Sequence, residues 1–422
     1  MNDWGDPALT ARRQQRSWRL LAITAVLFAL GFTNLFLRSS LGVMAPELAR
    51  EVDLGPAALS AVASAFFFAY AIMQVPVGML LDRFGGRITI AGMLLFTTAG
   101  AATFAGAHSV AMLSLGRVLM GIGCAGVFTG AFYVLALWLP QSSVVQRMGW
   151  LNSFAAVGTL SATTPLAALI SLIGWRQSYV LFTVGVALLL VSIWVIVRDG
   201  PPGAPAHAAR SEGLADVIRG VGQALRQPGM WRLLLTGLPI SSSSTITGVW
   251  GAPFLRDVYG LDAIQRGNVL LAMALCAISG HTLMGLIAQK TNSVKTALIF
   301  GTLGVITAMG TLAALDHPPV VVVTALLAAM GLLASFPMVV FAHARGLVPP
   351  QLMGRGLAAA NMGVMMAIAS MQIVFGAIVG AFTEPGGTPP AIAYRAGFAA
   401  QAAVALVALL VYLPIRDVKP RG

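Results

Sequence analysis

The sequence predicts an all-α integral membrane protein of twelve transmembrane helices, arranged as two pseudo-symmetric six-helix bundles with N- and C-termini cytoplasmic. Three observations carry this expectation. First, 58% of the 422 residues are hydrophobic and 9% are charged, with a mean hydropathy of +0.84; a soluble domain carries about 25% charged residues. A span takes about 20 residues, and with short loops the chain holds about twelve of them. Second, one long polar connection, 199–230, leaves six apolar runs on either side. Third, of 26 Lys and Arg, 19 fall in segments assigned to one side and five to the other, while Arg38 and Arg117 lie within apolar runs. That bias places the 19 in the cytoplasm. The net charge of +12 thus follows membrane orientation and describes no nucleic-acid surface.

In chain order, residues 1–17 form a polar cytoplasmic tail. The spans are expected at 18–46, 57–81, 88–107, 110–139, 145–171, 176–197, 231–255, 264–289, 294–315, 318–344, 353–382 and 391–414. Runs this apolar must be helical, because lipid leaves the backbone no other partner. The run from Leu20 to Leu37 follows basic residues as in a signal peptide, but it is long for one and lacks a cleavage site, so it reads as the retained first span. The connection opens with a Pro/Gly/Ala segment. Leu214, Ile218, Val221 and Leu225 then recur at helical spacing among Asp216, Arg219 and Arg226. That pattern predicts an amphipathic helix along the inner membrane surface. The organisation is therefore a tail (1–17), a first bundle (18–198), a linker (199–230), a second bundle (231–415) and a tail (416–422). Cys124 and Cys276 sit in apolar runs, so neither a disulfide nor a metal site is expected.

The two bundles read as repeats at an offset of 207 residues. Ala45-Pro46 falls on Ala252-Pro253, Leu48 on Leu255, Leu54 on Leu261 and Gly78 on Gly285. Arg83 falls on Lys290, and Gln289 stands where Asp82 stood.

The stretch Gly78-Met79-Leu80-Leu81-Asp82-Arg83-Phe84-Gly85-Gly86-Arg87 resembles the loop between the second and third helices of major facilitator superfamily transporters. Arg117-Val118-Leu119-Met120-Gly121-Ile122-Gly123 is similar to that superfamily's Arg-x-x-x-Gly-x-Gly pattern in span four. Gly174-Trp175-Arg176 opens span six as in many members. The resemblance covers essentially the whole chain. It implies two parallel six-helix repeats with a substrate site between them near the midplane. It also implies that Gly78, Asp82, Arg83, Gly86 and Arg87 form a cytoplasmic gating motif; ordinary loop charge is the competing reading. The run from Arg38 to Pro46 looks like the first span of the anion:cation symporters and of the organophosphate:phosphate antiporters, where this arginine meets an anionic substrate. Three departures stand out. Leu37 replaces the Asp that acid-sugar symporters often carry. Cys124 stands where they carry a Glu after the span-four arginine. Thr245 takes the place of the antiporters' span-seven arginine. These departures argue against carboxylate-based proton coupling and against phosphate-ester specificity.

None of the 14 acidic residues lies at mid-membrane. A cation there costs about 2.5–3.5 kcal/mol or more, and a bound anion would offset it. Arg38 lies nine residues before Glu47, and Arg117 nine after His108. At ~1.5 Å per residue, both sit about 13 Å from the outer surface. Two guanidiniums at one level can grip a carboxylate or phosphate; the competing reading is that each snorkels outward and closes the bundle. Asn34 shares a helix face with Arg38. Tyr70, Gln74 and Asn361 are further intramembrane candidates, as are Ser243 and Thr245 in the polar start of span seven. Hydroxyls that bond their own helix are the plainer reading of the last two. His281 aligns with Gln74 at the 207 offset and could carry a proton; a packed neutral ring is the alternative.

The expectation is a secondary transporter of a small organic anion, foremost a carboxylate, working by alternating access across the cytoplasmic (inner) membrane. No Walker loop, HExxH or intramembrane Asp pair points to an enzyme. No cofactor and no metal are expected. The partners are the anionic substrate, the lipid bilayer and, as a candidate, protons, with the chain a monomer. The alternative is a proton-coupled drug or metabolite efflux antiporter. Such members often show a Gly-Pro and paired-glycine pattern in span five, which here reads Asn152-Ser153-Phe154-Ala155-Ala156-Val157-Gly158-Thr159.

Overall fold

A chain this apolar has to pair its backbone groups within its own helices. The computed structural model describes residues 7–200, 213–384 and 386–420, which form helices and no strands. The ends of the expected tails (1–6 and 421–422) and most of the Pro/Gly/Ala segment lie outside the described residues. Nine helices among those described are long and apolar enough to cross a membrane.

The first half comprises α1 (Pro7–Glu51), α2 (Pro56–Ala105), α3 (Val110–Cys124), α4 (Val127–Trp138), α5 (Gln141–Ser161) and α6 (Thr164–Ile196). α1 begins well before the residue 18 expected. α2 and α6 are each interrupted by one glycine, Gly85 at φ 75° and Gly174 at φ 80°, a backbone region that glycine enters without a Cβ penalty. α7 (Leu214–Leu225) lies in the linker. The second half opens with α8 (Met230–Leu234), α9 (Gly237–Thr245), a π turn (Ile246–Trp250) and α10 (Gly251–Tyr259). It continues through α11 (Ala263–Lys290), α12 (Val294–Ala314), α13 (Val320–Leu333), α14 (Pro337–Leu347), α15 (Met353–Ala381) and α16 (Ala391–Tyr412). Asp262 and Gln265 start α11 with a reciprocal capping box, which satisfies two orphan donors.

The backbone carries the internal repeat. Gly85 and Asn292 have positive φ, and so do Asp53 and Gly260; the members of each pair are 207 residues apart. The break between α3 and α4 also has a counterpart, within a few residues of that offset, between α13 and α14.

Lipid tails are as apolar as leucine, so helix association here rests on close packing and on interhelical hydrogen bonds. Three glycines bring the halves together. A Cβ on Gly42 of α1 would overlap the Thr247 carbonyl oxygen and lie 2.9 Å from its carbon. One on Gly376 of α15 would lie 2.9 Å from the Pro56 carbonyl oxygen, and one on Gly267 of α11 2.9 Å from Thr164 Cα. Polar ties run beside them. Arg266 Nη2 meets Glu47 Oε1 at 2.6 Å, and Arg256 Nη1 donates to the Pro46 carbonyl at 3.1 Å. Trp250 Nε1 donates to Ser60 Oγ at 3.1 Å, and Ser64 Oγ to the Ala369 carbonyl at 3.0 Å. A cavity of about 700 Å³ sits at this Glu47 end of the bundle, lined in part by Pro46, Arg50, Trp250, Arg256, Asp257 and Tyr394.

α7 does more than lie on a surface. Val221 and Ala224 are buried, with α7 packed on α15 and α2. The space beside Gly220 is filled by the Arg355 guanidinium. Ile218, on the predicted apolar face, stays exposed.

At the far end, the chain after α16 straps α12 and α14. His343 is fully buried and lies 2.9 Å from both the Arg416 carbonyl and the Tyr412 hydroxyl. The Lys295 N–H donates to Asp417 at 3.0 Å. Burial pushes the Asp417 carboxyl up. Hydrogen bonds from Ser293, Lys295 and Val418, with His343 nearby, outweigh that and hold it below its ordinary value of 3.8. A depressed carboxyl stabilises the fold above its unfolded pKa and loses that contribution as pH falls through the folded value. Asp417→Asn is therefore expected to melt below the wild type at pH 7, with the gap closing towards pH 3; thermal unfolding in detergent across that range checks it.

Candidate functional site

Four of the polar side chains predicted for the membrane interior gather at the break between α3 and α4. No proline causes that break. α3 ends at Cys124, and its last carbonyls lose their intrahelical donors. Asn34 Nδ2 of α1 donates to the Cys124 carbonyl at 2.7 Å. Gln74 Nε2 of α2 donates to the Ala125 carbonyl at 3.2 Å. Across the interface, Asn361 Nδ2 of α15 donates to Gln74 Oε1 at 3.0 Å, and the Tyr70 hydroxyl lies against both amides. The structure thus brings Asn34, Tyr70, Gln74 and Asn361 around one broken helix and links the two halves there.

Arg38 stands beside this cluster. It is partly exposed, with its guanidinium 5.4 Å from the Phe67 ring centroid and Tyr70 in its field. Among the described residues, no ion pair includes it. A cation over an aromatic face gains about 0.5–2 kcal/mol, less than its cost within the membrane.

Arg117 is placed differently. It is fully buried, with Nη1 donating to the Leu37 carbonyl at 3.0 Å and Nη2 to the Ala63 carbonyl at 3.5 Å. Its guanidinium lies 4.6 Å from the Phe66 ring centroid. It binds α3 to α1 and α2 and does not share open space with Arg38. Arg117→Gln is accordingly expected to lower thermal stability, by about 1.5–3 kcal/mol for the hydrogen bonds of a charged donor. The protein that folds should keep any anion-induced stabilisation, and a thermal-shift titration reads both.

The remaining candidates are spread out. Ser243 is partly exposed, and its carbonyl accepts from the Thr247 hydroxyl at 2.9 Å. Thr245 is buried with its hydroxyl unpaired. His281 is exposed, with Nδ1 2.8 Å from the carbonyl of Ala277 on its own helix; the contacts that join Tyr70, Gln74 and Asn361 do not include it.

In the motif after α2's first arm, Gly78 faces open space, while a Cβ on Gly85 or Gly86 would run into Asp199, Val134 or Tyr133. Asp199 Oδ1 accepts from the Arg87 N–H at 2.7 Å, capping the arm that follows. Arg87 Nη2 donates to the Trp194 carbonyl at 2.5 Å, Arg83 lies over Phe84, and Asp82 lies near Tyr133. Asp199 was not foreseen, since in the sequence it reads only as the start of the linker. The ties of Glu47 and Gly42 were not foreseen either; each is a single unremarkable residue near a span end, and only the second half supplies its meaning.

Comparison with known proteins agrees with this architecture. The family model described as Major Facilitator Superfamily matches residues 27–370. The chain is similar to the "Probable L-galactonate transporter" of Escherichia coli (strain K12), with 26% identity over 65% of this chain and 64% of that one, just under two thirds of its length. It is also similar to the "D-galactonate transporter" of Escherichia coli O6:H1, with 25% identity over 99% of both chains. A solved structure of a bacterial homologue of the human lysosomal transporter Spinster, inward-facing and occupied, superposes with a TM-score of 0.76. It covers 94% of this chain and 96% of that one at 19% identity. With the match spanning most of its length, the chain belongs to the Major Facilitator Superfamily.

Proposed function

We propose that this protein is a secondary transporter of a small organic anion, foremost a carboxylate, working by alternating access. The observation that carries the reading is Arg38: an intramembrane guanidinium with no carboxylate partner among the described residues, beside amides contributed by both halves. The names of the relatives support it: one is named a probable L-galactonate transporter and the other a D-galactonate transporter, and galactonate is an organic acid anion.

Helix lengths support a finer topology. α2 has 50 residues, about 75 Å at ~1.5 Å per residue, more than twice a ~30 Å hydrocarbon core. Gly85 divides it into two crossings, and Gly174 divides α6 so that its first arm continues α5. With α8 to α10 as span seven, this supports twelve spans in bundles 18–198 and 231–415 joined by 199–230. The basic bias supports cytoplasmic termini in the inner membrane, which makes the Glu47 end the outer one. Gly78, Asp82, Arg83, Gly86 and Arg87 then act as the inner gating motif, with Asp199 as its brace.

The test is a thermal-shift screen of purified protein against carboxylates, sulfonates, phosphates, sugars and cationic dyes, followed by proteoliposome flux on the hits. Stabilisation and flux confined to organic anions are expected. Responses confined to cationic dyes would overturn the reading in favour of a drug exporter.

A further inference from the structure

We infer that the Arg38 site takes a substrate with one anionic group and no ammonium: a monovalent organic acid, as distinct from a dicarboxylate or an amino acid. This rests on Arg38 as the anion-binding residue, and it follows from counting the charges that can face a ligand there. Arg117, the other intramembrane cation of the first half, donates from Nη1 and Nη2 to the carbonyls of Leu37 and Ala63; its Nε is unpaired, but the whole side chain is buried out of reach of open space. In the second half, Arg256, Arg266 and Arg395 lie at the Glu47 end, each paired with a carboxylate. The other Lys and Arg of that half lie near the opposite ends of their helices or in the loops there. The polar groups recorded beside Arg38 are neutral: Tyr70 lies in its field, and the Gln74 and Asn361 amides lie against Tyr70 and each other. A second carboxylate on the ligand would be desolvated with no counter-cation, and an uncompensated buried charge is strongly unfavourable. The same count excludes zwitterions, because none of the carboxylates lies within the membrane interior to receive an ammonium.

The experiment uses two sets of matched probes on the purified full-length protein: butyrate, succinate and 4-aminobutyrate, all of four carbons, and gluconate against glucarate, both of six. Thermal shift and competition against a radiolabelled monoacid are read at pH 8, where every carboxyl of the probes is ionised. Each probe is run on wild type and on Arg38→Gln. The monoacid of each set is expected to bind about tenfold or more tighter than its diacid or zwitterion, with the response lost in Arg38→Gln. Succinate or glucarate binding as tightly as its monoacid, still dependent on Arg38, would overturn the single-charge inference and leave the anion site standing. No Arg38-dependent response to any probe would overturn both.

Discussion

Arg38→Gln is expected to abolish anion-induced stabilisation and to cut anion flux by roughly one and a half to three and a half orders of magnitude. Removing one partner of a desolvated charge pair costs about 2–5 kcal/mol, and each 1.4 kcal/mol is about tenfold. Arg38→Lys keeps the charge but loses the planar fork, so it should fall between the two. The effect on folding has the opposite sign. Arg38 lies over Phe67 with no ion pair among the described residues, so the ligand-free protein gives up little when it is replaced. Removing a cation from the membrane interior relieves a cost of about 2.5–3.5 kcal/mol. The ligand-free variant should therefore melt no lower than wild type. Loss of flux accompanied by a collapse in stability would mean that Arg38 holds the bundle together, and unchanged flux would remove it from transport altogether.

The contrast between Arg38 and Arg117 marks where sequence reading stops. Counting residues from Glu47 and His108 places both at one depth. Depth carries no information on which way a side chain turns about its helix, and that decides everything here: Arg38 turns toward Phe67, while Arg117 turns onto the Leu37 and Ala63 carbonyls. Features that depend on local chemistry were readable. The charged Gly78–Arg87 hinge identified the family, and the 207 offset reappears as matched left-handed residues at Gly85/Asn292 and Asp53/Gly260, although few side chains repeat. Features that depend on tertiary partners were not. The run around Cys124 contains no proline, and its break is held open by Asn34 and Gln74, which accept the role of missing donors. The four intramembrane residues Asn34, Tyr70, Gln74 and Asn361 were foreseen as polar candidates, but three of their amides are occupied by protein acceptors. Their amides are satisfied by the helix break and by one another.

Gly42→Ala is expected to unseat the contact between the halves at the Glu47 end. The Gly42 Cα lies against the Thr247 carbonyl in the π turn, and a Cβ there would sit 2.9 Å from Thr247 C and 3.1 Å from Gly248 C. Those atoms are backbone and cannot rotate away, so α1 and the π turn must separate. Overpacking of this kind costs about 1–3 kcal/mol, and the cost falls only on the conformation in which the halves touch. The closed-to-open ratio at the Glu47 end should shift about 5- to 150-fold. A reporter follows from the same interface: Ser60 is buried beneath Trp250, so Ser60→Cys, with Cys124 and Cys276 changed to Ser, should react slowly with a membrane-impermeant maleimide. Adding Gly42→Ala should speed that labelling by at least about fivefold, and anion flux should fall as the cycle stalls open. Gly158→Ala is the matched control. Its Cβ would overlap the Phe32 carbonyl within the first half, so it should lower the melting temperature without exposing Ser60→Cys. Equal labelling with and without Gly42→Ala would mean that the halves do not part along this line, and the glycine contact would then be packing alone.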